Sequence, residues 1–213
     1  MIYLIYFAIL FGVLLIAVFY SGDRLKPYAK TLGLRKAALF YDQNLDELER
    51  LITPVRISSF SKAEPLIWLY ISPTKQQVFL AANSRKDVRL WLQPNDFIKN
   101  VHIVLDGSKN NEFDRSNLVK NKLPPQKISL EGDFPKYFIL YCENGQQITA
   151  LQIVTPDIME YVIDNDLNTD LEIVNGQIAI ISRGAAKSLN SLKNSIGLCL
   201  RLDDLARQIS KNQ

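Results

Sequence analysis

The segment Leu171–Ser182, LEIVNGQIAIIS, carries the clearest fold signal in this chain of 213 residues. Two runs rich in Ile and Val, Leu171–Val174 and Gln177–Ser182, flank the dipeptide Asn175-Gly176. An Asn-Gly pair tolerates positive φ at both central positions of a tight turn, which is the geometry that a two-residue β-hairpin requires. The segment therefore predicts a hairpin within an antiparallel sheet.

Helix signals flank this hairpin on both sides. Thr155-Pro156-Asp157 predicts a helix that runs to about Asn165, because Thr is a favoured N-cap, Pro fits the first helical position and Asp complements the helix dipole. Residues Ala185–Ser210 predict a long helix, in which Gly197 costs about 1 kcal/mol relative to Ala and is a candidate break. We expect its apolar stripe to pack on the sheet, with a partner helix or a membrane surface as alternatives. The stripe consists of Leu189, Leu192, Ile196, Cys199, Leu202, Leu205 and Ile209.

Further segments predict one more helix and the rest of a sheet. The predicted helix begins with a capping-box variant at Asn44 and ends before Pro54. Glu143-Asn144-Gly145 predicts a second hairpin turn. Short apolar runs bounded by turn residues predict strands. The predicted strands are Val55–Phe60, Pro65–Ser72, Gln77–Ala82, Val88–Leu92, Asn100–Asp106, Lys127–Leu130 and Lys136–Cys142.

The fold class that these elements predict is α+β, with a mainly antiparallel sheet and a long C-terminal helix. The length after residue 42 suffices for one domain or for two small lobes. A first α+β lobe would occupy 43–106, and a second lobe with the C-terminal helix would occupy 127–213. The polar stretch 107–126 between them predicts a surface loop or a linker.

The first twenty residues contain no charged side chain, and thirteen of them are Leu, Ile, Val or Phe. A helix of about twenty apolar residues spans the hydrocarbon core of a bilayer. No basic residue precedes the run and no small-x-small cleavage site follows it, as a cleaved secretory signal would need. Residues 1–20 therefore predict a retained, single-pass transmembrane anchor.

A basic juxtamembrane segment, 21–42, follows the anchor. Between Ser21 and Lys36 it holds five basic residues against one acidic residue, Asp23. Basic residues beside an apolar span tend to stay in the cytoplasm, which predicts a cytoplasmic domain. The segment serves either as a topology signal or as a contact with anionic lipid, at about 1 kcal/mol per basic residue. The candidate membrane-surface contacts are Arg24, Lys26, Lys30, Arg35 and Lys36.

Candidate catalytic residues are few. The single histidine, His102, lies in a strand-like run, where a histidine is more often a core or surface residue than a catalyst. The sequence has no Gly-x-Ser-x-Gly elbow, no Gly-x-x-x-x-Gly-Lys phosphate loop and no Gly-x-Gly-x-x-Gly motif. Cys142 and Cys199 lie in apolar runs, so we expect buried small hydrophobic residues rather than a redox pair.

Acidic residues suggest no specific site. A loop that begins at Asp106 faintly matches a calcium loop, but Asn111 and Asn117 replace the Gly and Glu that such a loop needs. We expect the acidic stretch 157–172 and the pair Asp203-Asp204 to be solvated surfaces. The near-neutral charge after residue 36 argues against nucleic-acid binding. No catalytic residue, metal ligand or cofactor is predicted.

Residues 127–182 resemble the C-terminal part of a family of bacterial membrane-anchored proteins of unknown function. The resemblance rests on Leu130–Phe134, on Lys136-Tyr137-Phe138 with Tyr141, on Ala150 with Thr155–Met159, and on the Glu172–Ser182 hairpin. It implies a membrane-tethered α+β domain and no reaction. Family members often carry two neighbouring transmembrane helices, whereas this chain has one apolar span.

These observations predict a membrane-tethered binding or scaffold module, an accessory subunit of a membrane or envelope assembly with a protein partner. One alternative is a membrane-associated enzyme that uses carboxylates. Another is an extracytoplasmic component of a secretion or pilus machine, which would require the opposite orientation and would be supported by a bridge between Cys142 and Cys199.

Overall fold

The computed structural model of the protein describes residues 23–37, 67–82, 87–92, 98, 100–107, 124–174 and 176–211. The predicted anchor, the predicted helix that begins at Asn44 and the predicted strand Val55–Phe60 lie outside these ranges. None of the helices within them is both long enough and apolar enough to cross a membrane.

Nine strands and four α-helices lie in the described part of the chain. The strands are β1 (Arg35–Lys36), β2 (Trp68–Ile71), β3 (Gln77–Ala82), β4 (Val88–Leu92), β5 (His102–Asp106), β6 (Gln126–Ile128), β7 (Ile139–Cys142), β8 (Thr169–Val174) and β9 (Gln177–Ser182). The helices are α1 (Lys26–Leu32), α2 (Gln147–Ile153), α3 (Pro156–Asp164) and α4 (Leu189–Lys211), with 3₁₀ turns at Phe134–Lys136 and Ala185–Lys187.

All the described strands form one antiparallel sheet, in the order β1-β2-β3-β4-β9-β8-β5-β7-β6. The predicted hairpin is confirmed: β8 and β9 pair up to Val174 and Gln177, and Gly176 has φ +83°. Asn175 itself lies outside the described residues. The hairpin occupies the centre of the sheet. The predicted α+β class, antiparallel sheet and long C-terminal helix are confirmed.

The two predicted lobes share this sheet. Strand β4 comes from the first predicted lobe and pairs with β9 from the second. Strand β5 also comes from the first lobe and lies between β8 and β7 of the second. Three strand pairings therefore cross the predicted boundary at 107–126.

One face of the sheet carries the main core. Ile103, Ile173 and Ile180 point to this face from the central strands and are fully buried. The expectation that the stripe of the C-terminal helix packs on the sheet is confirmed, because its buried side chains belong to the same core. These are Leu192, Ile196, Cys199 and Leu202.

Gly197 does not break this helix, so the predicted break is wrong. Helix α4 continues through it from Leu189 to Lys211. A Cβ at Gly197 would lie 2.7 Å from the hydroxyl oxygen of Tyr161, which is too close for any other residue without a shift. Tyr161 in turn donates a hydrogen bond to the carbonyl of Asn194 at 3.1 Å. The glycine therefore leaves room for the Tyr161 hydroxyl against α4.

The predicted hairpin at Glu143-Asn144-Gly145 is also wrong. The chain does turn there, with Gly145 at φ +84°, but it enters α2 instead of a new strand. Both edges of β7 are already paired, with β5 and with β6, so no further strand can join it. The side chain of Gln146 connects the turn to the start of β5 by two hydrogen bonds. Its carbonyl oxygen accepts from the N–H of His102 at 3.0 Å, and its amide donates to the carbonyl of Asn100 at 2.6 Å.

The predicted helix after Thr155 is confirmed as α3. The Thr155 hydroxyl accepts a hydrogen bond from the N–H of Ile158 at 3.4 Å, as an N-cap does. The predicted strand Lys136–Cys142 begins only at Ile139, because Phe134–Lys136 forms a 3₁₀ turn.

Candidate functional site

Four of the five predicted membrane-surface residues are exposed. Lys26 and Lys30 are four residues apart on α1, so they share one side of that helix. Arg35 and Lys36 form β1, the outermost of the described strands, and both are exposed. Arg24 differs, because its side chain is only half-exposed and interacts elsewhere in the protein.

Helix α1 is fixed to the domain, so these cations are held in place. Leu25, just before the helix, is fully buried in the main core. Asp23 accepts hydrogen bonds from the N–H of Leu25 and from the indole N–H of Trp68 on β2, both at 3.1 Å. Tyr28 donates its hydroxyl hydrogen to the carbonyl of Ala186 at 3.3 Å.

The second face of the sheet carries a smaller apolar cluster beside buried charges. The rings of Phe79 and Trp91, which are cross-strand neighbours, stack with their centroids 5.7 Å apart. Buried or half-buried charged residues follow on the same face of β5 and β8. One row of this face, from β2 to β6, contains Leu69, Phe79, Trp91, Ala179, Glu172, Val104, Tyr141 and Lys127.

His102 lies between two carboxylates at the end of this face. Its Nε2 is 3.0 Å from Oε1 of Glu172, and its Nδ1 is 3.5 Å from Oε1 of Glu143. His102 faces Val174 across the ladder, so its contact with Glu172 is a diagonal cross-strand pair. The hydrogen bond with Glu172 raises the pKa of His102, and the charges of both carboxylates add to that rise against the opposing effect of burial.

Asp170, two residues before Glu172 on β8, is held by other partners. Its Oδ1 accepts a hydrogen bond from the N–H of Gly107 at 3.1 Å, and its Oδ2 pairs with the guanidinium of Arg183. Burial raises the pKa of Asp170, although Arg183 acts in the opposite direction. Gly107 is required here, because a Cβ would lie 2.2 Å from the carbonyl oxygen of Thr169.

Arg89 on β4 adds a buried positive charge on this face. Burial lowers its pKa to about 9, which leaves the guanidinium charged at neutral pH. The expectation of a solvated surface is therefore wrong for Asp170 and Glu172, which are 0% and 2% exposed. One feature of the sequence could have indicated a strand with two different faces here. Charged and apolar residues alternate along Asp170–Val174, so they take opposite faces of the strand.

Asp203 is likewise buried, so the expected exposed pair Asp203-Asp204 is wrong for its first member. The amide of Gln76 donates to Oδ2 of Asp203 at 2.8 Å and to Oδ1 of the exposed Asp204 at 2.9 Å. Arg207 donates to the same Asp203 oxygen at 2.7 Å. This network joins α4 to the turn between β2 and β3, and it has a structural role.

The two cysteines match their prediction. Cys142 on β7 and Cys199 on α4 are both fully buried and free. Burial raises the pKa of both thiols, which keeps them protonated.

The chemistry available on the second face is limited. Glu172 and Asp170 are engaged by His102, Arg183 and Gly107, as charges buried in a protein usually are. Oε2 of Glu172 is also buried, and it has no hydrogen-bond partner in the described part of the chain. Among the described residues, no three His, Cys, Asp or Glu side chains are grouped so that they would hold a metal ion.

Comparisons with known proteins show a fold and no family. No family model matches the chain, and no curated protein matches it. The chain is similar to a solved structure, the crystal structure of the mycobacterial trehalose monomycolate transport factor A, TtfA. The similarity covers 88% of this chain and 94% of TtfA, with a TM-score of 0.56 and 13% identity. The chain therefore shares the α+β architecture of TtfA.

Proposed function

We propose that this protein is a membrane-tethered binding module, an accessory subunit of a membrane or envelope assembly. Residues 1–20 would be the anchor, and the α+β domain would bind a protein partner on the cytoplasmic side. The observation that carries the proposal is the set of exposed cations on α1 and β1, directly after a stretch of twenty residues without charge.

Placement of these cations supports a lipid surface as their neighbour. Lys26 follows Tyr20 by six residues, which even a fully extended chain spans in about 20 Å. Lys26 and Lys30 are exposed and make no ion pair within the described residues. Charged side chains on an outer strand also protect it against pairing with other sheets. Arg35 and Lys36 can have this protective role and contact lipid as well.

The arrangement of the carboxylates favours binding over carboxylate catalysis. A general acid or base must reach a substrate atom. Asp170 and Glu172 instead face Arg183 and His102 inside the protein. The similar structure is titled a transport factor, and an accessory role of that general kind is part of the proposal.

Flotation of the purified full chain with phosphatidylcholine vesicles tests the tether. The chain should float in 1 M salt, because an inserted apolar span needs no electrostatic attraction and salt screens surface charges within about 3 Å. Recovery at the bottom of the gradient would contradict the anchor.

Purification of the tagged full chain in mild detergent tests the binding role. We expect a component that is recovered with this chain and not with an equally tagged, unrelated single-pass protein. Repeated recovery of the chain alone, from cells grown under several conditions, would contradict the accessory role.

A further inference from the structure

A second basic segment lies far from the first in sequence. From Arg183 to Leu202 the chain has four basic residues and no acidic residue. The segment Ser21–Lys36 has five basic residues and one acidic residue. The remaining 177 residues hold 16 basic and 21 acidic residues, so positive charge is concentrated in these two segments.

The fold brings the two segments together. The hydrogen bond from the Tyr28 hydroxyl to the carbonyl of Ala186 places α1 against the 3₁₀ turn that precedes α4. Lys187 is the next residue after this contact and is exposed. Lys193 is exposed further along, near the start of α4.

The remaining charges near this contact are already engaged. Arg183 pairs with Asp170, and Arg201 lies over the ring of Tyr161 at 4.5 Å from its centroid. Asp87 accepts a hydrogen bond from the N–H of Gly184 at 2.9 Å, and Asp23 is bound to Trp68. By contrast, no ion pair in the described part of the chain involves the two exposed lysines of α1 or the two of the second segment. These are Lys26, Lys30, Lys187 and Lys193.

We propose that these four lysines form one basic surface, which docks on an anionic lipid bilayer. The inference rests on the proposed function, because it takes residues 1–20 as the anchor. The chain between Tyr20 and Lys26 limits the distance of α1 from the headgroups to about 20 Å and lets α1 reach them, and α1 in turn holds Lys187 beside it. Lysines within a Debye length of an anionic leaflet are attracted to it. The domain would therefore lie against the membrane instead of extending away from it.

Energy transfer from the domain to the bilayer tests this docking. The full chain would carry a donor dye at Asn190→Cys, an exposed position next to the basic surface, with Cys142 and Cys199 retained because both are buried. It would be reconstituted in phosphatidylcholine vesicles with an acceptor-labelled lipid, with and without about 30% phosphatidylglycerol. We expect transfer to rise with the anionic lipid and to fall again in 1 M salt.

Charge reversal tests whether the lysines of this surface, and not the net charge of the protein, cause the rise in transfer. Lys187→Glu/Lys193→Glu should lose the rise, and Lys187→Gln/Lys193→Gln should show about half of it. Lys127→Glu/Lys136→Glu, which changes the net charge equally at exposed positions toward the opposite edge of the sheet, should keep most of it. Equal melting temperatures would show that the variants fold.

Each outcome decides between distinct explanations. An equal rise for Lys187→Glu/Lys193→Glu, or no rise in the unmodified chain, would overturn the docking surface while leaving the anchor intact. A chain that fails to float with phosphatidylcholine vesicles would instead overturn the proposed function on which the inference rests.

Discussion

Replacing His102 with alanine tests how the charges on the second face are stabilised. Glu172 is 2% exposed, and its Oε1 lies 3.0 Å from Nε2 of His102. Its Oε2 has no hydrogen-bond partner in the part of the chain that the structure describes. In His102→Ala the carboxylate keeps its burial and loses the contact of its Oε1 with Nε2 of His102, which is an ion pair when His102 is protonated. Removing one member of a buried ion pair typically costs about 3–5 kcal/mol, so at a pH below the unfolded pKa of about 6.5 we expect a loss of about 3 kcal/mol in the free energy of unfolding.

A double variant provides the matched control. In His102→Val/Glu172→Leu both charges are replaced by apolar side chains that suit a strand. Replacing a whole buried ion pair by apolar residues is often neutral or stabilising. We therefore expect the double variant to recover at least about half of the stability that the single variant loses.

Urea unfolding of the detergent-solubilised full chain measures both free energies. Trp68 and Trp91 are buried, so their fluorescence reports loss of the sheet, and linear extrapolation gives the free energy in water. A cost below about 1 kcal/mol for His102→Ala would refute this reasoning, because it would mean that the pair with Glu172 contributes little. A double variant less stable than the single variant would refute it as well.

Three further predictions concern stability. Because the pKa of His102 is raised in the folded protein, its stabilising effect is complete below the unfolded pKa of about 6.5 and is lost as pH rises through the folded pKa. Urea unfolding at several pH values should show this loss in the unmodified chain and not in His102→Gln. Gly107→Ala should cost at least about 1–3 kcal/mol, because its Cβ would lie 2.2 Å from the Thr169 carbonyl oxygen, and an unchanged melting temperature would contradict that clash. Thr155→Ala should cost about 1 kcal/mol by loss of the N-cap, whereas Thr155→Ser should cost much less; equal urea midpoints for the two would contradict the cap.

Local signals were sufficient for several elements. The hairpin Leu171–Ser182 and the helix after Thr155 formed where the sequence predicted them, because the turn and the N-cap each depend on residues within a few positions. The strands Gln77–Ala82 and Val88–Leu92 were also correct, with the same boundaries.

Non-local pairing was beyond the reach of these signals. Strand β4 pairs with β9, about ninety residues later, and this ladder joins the two predicted lobes. The hairpin predicted at Glu143–Gly145 failed for the same kind of reason. Its turn residues were suitable, but β5 and β6 already occupied both edges of β7.

The buried charges show why acidic clusters mislead. Asp170, Glu172 and Asp203 were expected at the surface because isolated carboxylates avoid burial. Each is buried beside a partner from elsewhere in the structure, and Gln76 and His102 lie 127 and 70 residues from theirs. Alternation along β8 would have placed Glu172 and Asp170 on the same face, but alternation alone does not show whether that face is covered.

Two of the four lysines in the basic surface were predictable. Lys26 and Lys30 on α1 followed from their place after an uncharged stretch. Lys187 did not, because its position depends on one contact, between Tyr28 and Ala186, that joins residues 158 positions apart.

Labelling of Asn190→Cys with a membrane-impermeant maleimide, followed by carbonate extraction of the membranes, tests the central claim most directly. The unmodified chain is the background control, since Cys142 and Cys199 are fully buried. A tethered cytoplasmic module predicts labelling only after lysis, with the labelled chain retained in the carbonate-resistant membrane pellet. Labelling on intact cells would contradict the cytoplasmic orientation, and labelled chain in the carbonate supernatant would contradict the anchor.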